Sequence, residues 1–322
     1  MPPEPRANPL FRGHEGAVSS LHHAALSGRL HHGWLLAGPP GIGKATLAYR
    51  FGRWLLAGGQ TPDLAVPETD GVFRRVAAAT HPDFFTIARR VNEKTDKLQG
   101  EIVIKTVLEA SAFMRLTPAE GGWRVVVMDG AEDMNPNAAN ALLKLLEEPP
   151  PRAILLLVSA APGRLLPTIR SRCRVLPMAP LPDETMRALL ADYAPDANAT
   201  RLIELAEGSI GNALNLAEGD GVALAALVDE ALDAPVKPAR AQAMADAVAR
   251  AVDGADKFEL FFSLLRTRLA ARTRAAARAG ETHLSHSVTL WQDFGKLERE
   301  VLGLNLDKRA AIILALEQLH RS

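Results

Sequence analysis

The stretch GPPGIGKAT, Gly38 to Thr46, has the residue types and spacing of a phosphate-binding loop. In the pattern G-x-x-x-x-G-K-[ST], backbone N–H groups converge on an anion and the helix opening there adds partial positive charge. Lys44 would reach the β- and γ-phosphates of a nucleotide. Gly38, Gly41, Gly43 and Lys44 are therefore candidate nucleotide-binding residues, and Asp129, closing the run RVVVMD, is placed like the acid of the accompanying metal site. One position departs: Ala45 stands where a hydroxyl ligates magnesium. Thr46 follows, but one residue further along a helix is rotated by about 100°. Glu132 falls in the turn after Asp129 and is assigned no role.

Loop and acid need a strand behind each. The short apolar run GWLLAG (33–38) precedes the loop, and in KATLAYRFGRWLLAGG Leu47, Phe51, Trp54 and Leu55 share a helical face that ends at Gly58–Gly59. Further strands are expected at DFFTIAR (83–89), WRVVVMD (123–129), AILLLVSA (153–160) and CRVLPM (173–178), with a helix at IKTVLEASAFMRL (104–116). Continuous valine and leucine fit strands covered on both faces, and alternation with helices argues for a parallel sheet. After PMAPLP (177–182) the pattern becomes helical to the end, broken near LDAP (232–235) and ARAGETHLSHS (278–287). Expected boundaries are a P-loop α/β domain over 1–179, a small helical lid over 180–221 and a helical collar over 222–322.

Composition narrows the function. The 322 residues are 48% hydrophobic, with 37 basic and 37 acidic side chains. Proteins that grip nucleic acid by themselves carry a basic excess, so a DNA role here is shared with partners. The single Cys173 excludes an intramolecular disulfide and a multi-cysteine zinc site, and it reads as a small buried apolar residue. The nine histidines, His31–His32 included, lack carboxylates or cysteines at ligand spacing, so no metal site is expected. No apolar run approaches a membrane span and no signal core opens the chain; a cytoplasmic protein is expected. RTRLAARTRAAARAG (266–280) carries Arg268–Arg272 and Arg274–Arg278 at i,i+4, read as a solvated basic face.

The most distinctive stretch is NPNAANALLKLLEEPPP (135–151). Asn135 suits an N-cap and Pro136 the first helical position; Ala139, Leu142, Leu143 and Leu146 make an apolar face. Glu147 and Glu148 oppose the helix dipole, and the simplest reading is a solvated end.

NALLKLLEEPP followed by LLPTIRSRC (165–173) resembles the clamp-loader branch of the AAA+ superfamily. RLHHGWLLAGPPGIGKATLA and HPDFF (81–85) are similar to the delta-prime family of bacterial DNA polymerase III subunits, of alphaproteobacterial type. The resemblance covers most of residues 13–215 in order. It implies that Arg172, in Ser171–Arg172–Cys173, is a trans arginine finger on ATP held by a neighbouring subunit, a task that suits an always-charged planar fork. It places a sensor at Ser159. It also exposes departures: Gly130 where hydrolysing relatives carry a water-orienting glutamate, and Gly211 in GSIGNAL where a lid arginine is expected. Residues 57–80 take the place of a four-cysteine zinc module without a cysteine.

The reading that follows is a non-hydrolysing clamp-loader subunit that helps load the sliding clamp onto primed DNA. Its implied partners are the tau/gamma motor subunits and delta, with the clamp and DNA reached through the complex; no cofactor is required, and residual ATP or ADP binding stays open. The alternative is an active clamp-loader-type ATPase. A small-molecule P-loop kinase fails on architecture, having no use for LLKLLEEPP, SRC and a helical tail. Magnesium hydroxyl, water-orienting acid and lid arginine are all replaced by Ala or Gly. Each such group is typically worth about 10²- to 10⁵-fold, which decides against hydrolysis in cis.

Overall fold

A computed structural model describes residues 3–28, 30–92, 97–217, 221–249, 257–281 and 284–320. His283 lies outside the described residues. The chain divides into two compact units, Met1–Leu214 and Asn215–Ser322.

In the first unit, helix α1 (Glu15–Leu26) leads to β1 (Gly33–Ala37), the loop, and α2 (Lys44–Leu56). Then come α3 (Gly71–Ala77), β2 (Phe84–Ile87), the two-residue strands β3 (Val91–Asn92) and β4 (Lys97–Leu98), α4 (Ile104–Arg115), β5 (Arg124–Asp129) and α5 (Pro136–Glu147). The unit continues with β6 (Ala153–Ser159), α6 (Pro167–Ser171), β7 (Arg174–Pro177), α7 (Asp183–Tyr193), α8 (Ala199–Ala206) and the start of α9 (Ile210–Ala217). The five expected strands form one sheet in the order β2-β5-β6-β1-β7, every pair parallel.

The sheet separates two apolar layers. Side chains alternating along each strand feed one or the other: Val125 and Val127 pack with Leu36, Leu47, Phe51 and Trp54, whereas Val126 and Met128 pack with Leu35, Val107 and Leu142. This explains why the strands read as continuous apolar runs. Because all five run the same way, the loop after β1, Asp129 closing β5 and Ser159 closing β6 gather at one edge of the sheet.

Helix α5 forms as its sequence dictates. Asn135 accepts a hydrogen bond from the Ala138 N–H (2.9 Å), and Pro136 occupies the first turn. The apolar face differs by one position from expectation: Leu145 is buried with Ala138, Ala139, Leu142 and Leu146, while Leu143 is only half-buried.

Where the zinc module was expected to be replaced, the structure has apolar packing. Leu64, Val72 and Val76 join the core, and the Trp54 indole N–H donates to the Thr61 carbonyl (2.7 Å). Asp70 caps α3 by accepting from the Val72 N–H (2.7 Å).

The second unit contains α10 (Gly221–Asp233), α11 (Pro238–Ala249), α12 (Lys257–Arg278), α13 (Ser285–Leu304) and α14 (Lys308–Gln318), around Phe258, Phe261, Phe262 and Phe294. Of the α12 arginines, Arg272, Arg274 and Arg278 are exposed as expected, but Arg266, Arg268 and Arg272 also meet acids of other helices. Arg266 meets Glu298 (3.0 Å) and lies 4.7 Å over the Trp291 ring, Arg268 approaches Asp229 (3.5 Å), and Arg272 meets Asp233 (2.5 Å). They staple α12 to α10 and α13 because carboxylates on those helices stand opposite.

Candidate functional site at the phosphate loop and at Arg172

A cavity of about 360 Å³ opens at the loop edge of the sheet. It is lined by Gly41, Gly43, Lys44, Ala45 and Thr46 from the loop and α2, by Asp129 at the end of β5 with Gly130 and Glu132 following it, and by Ile210 and Gly211 of α9. Pro3, Pro5 and Asn8 form a further wall. Gly38 ties the loop to the sheet, its N–H donating to the Ser159 carbonyl (3.3 Å), and His14 bonds to the Ile42 carbonyl (2.9 Å).

The N-terminal wall is held by residues that sequence reasoning missed. Arg53, fully buried within α2, donates to the carbonyls of Arg6 (2.6 Å) and Asn8 (2.8 Å) and stacks on Phe73. Arg50 donates to the Pro9 carbonyl (2.9 Å). The signal was there: two arginines three apart within the apolar second half of α2, where a buried charge needs partners.

Lys44 is buried, and its ammonium donates to the Pro39 carbonyl within its own loop. Burial pulls its pKa from 10.5 down to about 8, against the opposing charges of Glu132 and Asp129. Asp129 is shifted up, mainly by burial, with Lys44 opposing and the nearby Glu132 and Asp133 adding to the rise.

Ala45 and Thr46 both face the cavity, but no hydroxyl stands at the residue after the lysine. Gly130 sits at φ 78°, a left-handed conformation, and an added Cβ would fall 2.9 Å from Asp133 Oδ2. A glutamate does not fit there without rearrangement. Ser159 is fully buried, and its hydroxyl oxygen accepts from the Ala161 N–H (3.2 Å).

Gly211 is more than a missing arginine. Its N–H donates to the Gly41 carbonyl (2.9 Å), and a Cβ on it would lie 2.9 Å from Gly41 Cα. Ser209 Oγ donates to the Pro40 carbonyl (3.0 Å). Two carbonyls of the phosphate loop are thus clasped by the start of α9, and only a residue without a side chain permits the approach.

Arg172 lies elsewhere. It precedes β7, whose Arg174 pairs with Trp34 near the start of β1, while Pro177 pairs with Ala37 just before the loop. A Cβ added to Gly33 would lie 3.5 Å from the Arg172 carbonyl, so Arg172 is level with the start of β1. Four steps of about 3.3 Å put roughly 13 Å of strand between there and Ala37, the last residue before the loop. The guanidinium is partly exposed, bonded to Glu147 Oε1 (2.9 Å) and the Thr168 carbonyl (3.1 Å). Glu147 and Glu148 are exposed, as a solvated end requires, and Glu147 in addition forms an ion pair within the chain. Cys173 beside it is buried, and burial pushes its thiol up to about 12.

Among the described residues, no group of three or more His, Cys, Asp or Glu side chains is arranged to hold a metal ion. Among the same residues, no helix is long and apolar enough to cross a membrane.

This chain is 42% identical over 192 residues to the DNA polymerase III subunit delta' of Pseudomonas aeruginosa, covering 59% of this chain and 56% of that one. It is 34% identical over 197 residues to the subunit delta' of Escherichia coli, covering 60% and 57%. It is likewise 34% identical over 182 residues to the subunit gamma/tau of Mycobacterium tuberculosis, covering 56% and 30%. The chain thus spans little more than half the length of the delta' relatives it matches. The family model described as DNA polymerase III, delta subunit matches residues 13–182, which contain the phosphate loop, Asp129 and Arg172; the chain belongs to that family.

Proposed function

We propose that the chain is a delta-prime-type member of a clamp loader that does not hydrolyse ATP itself and presents Arg172 to ATP held by a neighbouring subunit. The observation that carries this reading is the placement of Arg172 at the edge of the sheet opposite its own loop, partly exposed. A guanidinium there cannot reach a phosphate bound by its own chain, and it suits one presented across a subunit boundary.

The cavity fits one half of a magnesium–nucleotide pair. Lys44 and the loop amides could meet phosphate, and that chemistry is charge neutralisation. The metal half has lost its hydroxyl at Ala45, and Asp129 and Glu132 place two carboxylates around one ammonium. With Gly130 in place of an acid and Gly211 seated on Gly41, neither of those two positions offers a side chain to orient water or the terminal phosphate. Residues 1–179, 180–221 and 222–322 act in this reading as P-loop domain, lid and collar. Partners are the tau/gamma motor subunits and delta, with the clamp and primed DNA met through the complex in the cytoplasm.

The test is reconstitution with tau/gamma and delta. The proposal expects a stable complex of defined stoichiometry and no magnesium-dependent ATPase from this chain alone. A turnover by the isolated chain that Lys44→Ala abolishes would favour the active-ATPase alternative.

A further inference from the structure

Glu132 enters that account only as one of two carboxylates near Lys44, and its surroundings give it a more specific part. It stands in the single 3-10 turn after β5, lines the cavity beside Lys44 and Asp129, and turns toward the tip of β6. Its Oε1 accepts a hydrogen bond from the Ala160 N–H (2.8 Å), and the strand behind that N–H bonds through the Ser159 carbonyl to Gly38 of the loop. Its Oε2 is buried and has no hydrogen-bond partner among the described residues. A buried carboxylate oxygen without a donor is costly unless a nearby positive charge compensates. Lys44, which lines the same cavity, supplies such a charge, and Glu132 and Asp129 both oppose the fall in its pKa.

We propose that Glu132 is an internal anion that supplies, from within the chain, the negative charge a terminal phosphate would bring to Lys44, and so selects against nucleoside triphosphates. A phosphate loop turns its lysine toward the β- and γ-phosphates. Here that end of the cavity already holds a carboxylate fixed to the β6 tip, and Ala45 removes the hydroxyl that would help a metal ion screen the added charge. A diphosphate, one phosphoryl group shorter, meets less of this repulsion. The inference rests on the cavity being a nucleotide seat, as in the function proposed above.

The experiment titrates fluorescent ATP and ADP analogues, with magnesium, into the full-length chain, E132Q, Glu132→Ala and the E132Q chain also carrying Lys44→Ala. Thermal melting identifies the variants that fold. Removing one unit charge within several ångströms in a partly buried site is expected to tighten ATP binding about tenfold. The ADP affinity should change less than threefold, and Lys44→Ala should cancel the gain. Glu132→Ala repeats the gain if the charge, and not the bond to Ala160, is responsible. Equal ATP binding by the parent and both Glu132 variants overturns the proposal. In that case, binding abolished by Lys44→Ala leaves the nucleotide seat standing without the selectivity, and no binding in any variant removes the seat as well.

Discussion

Arg172 and Glu147 form an ion pair at 2.9 Å, linking the start of β7 to the C-terminal end of α5. The pair joins the two most distinctive motifs of the chain, SRC and LLEEPP. It also accounts for an acid at a helix end where the dipole disfavours one. Both side chains are more than a third exposed, so the pair contributes at most about 1 kcal/mol and is readily exchanged for a phosphate. Glu147→Gln is accordingly expected to change unfolding free energy by less than about 1 kcal/mol, measured by urea titration. A loss several times larger would mean that the pair is a structural clamp and not a resting place for the guanidinium.

The lid clasp predicts that restoring an arginine does not restore a catalyst. Because a Cβ added at Gly211 would lie 2.9 Å from Gly41 Cα, Gly211→Arg should destabilise the first unit by about 1–3 kcal/mol and produce no ATPase. Gly163, whose added Cβ would meet nothing within 4 Å, is the control, and Gly163→Ala should be near neutral. A Gly211→Arg protein as stable as its parent would show that α9 lifts off the loop freely.

Much of the sheet was legible, because a strand buried on both faces cannot avoid reading as an apolar run; β5 and β6 are examples. The cap at Asn135 was legible because its chemistry is local. What escaped depended on contacts distant in sequence. Arg53 to Asn8 spans 45 residues and Ser209 to Pro40 spans 169, and no local pattern announces either. The partners of Arg266, Arg268 and Arg272 are hidden for the same reason: Glu298, Asp229 and Asp233 lie on other helices. Glu132 was passed over because a turn residue has no periodicity to betray which way it faces.

Lys44 gives a pH signature. Its folded pKa of about 8 lies below the ordinary 10.5, so between those values the unfolded chain binds the extra proton. Stability attributable to this group therefore rises with pH across that window. Urea titrations from pH 7.5 to 10 should show the parent gaining on Lys44→Met as pH increases, by up to a few kcal/mol. Parallel profiles would place the ammonium in water.

Cys173, its thiol raised to about 12 by burial, should resist thiol reagents in the native protein at pH 8. Labelling should become complete only in denaturant. Fast native labelling would contradict the packing beneath Gly33, where an added Cβ would meet Cys173 Sγ at 3.4 Å.

The central claim is that Arg172 acts on ATP held by another subunit, and one substitution tests it. In a complex reconstituted with tau/gamma and delta subunits, Arg172→Ala should leave assembly and stoichiometry intact and lower the DNA-stimulated ATPase rate several-fold. Arginine fingers are worth about 10³- to 10⁵-fold at the site they serve, and the remaining sites of the complex keep turning over. An unchanged rate from a complete complex would contradict the assignment.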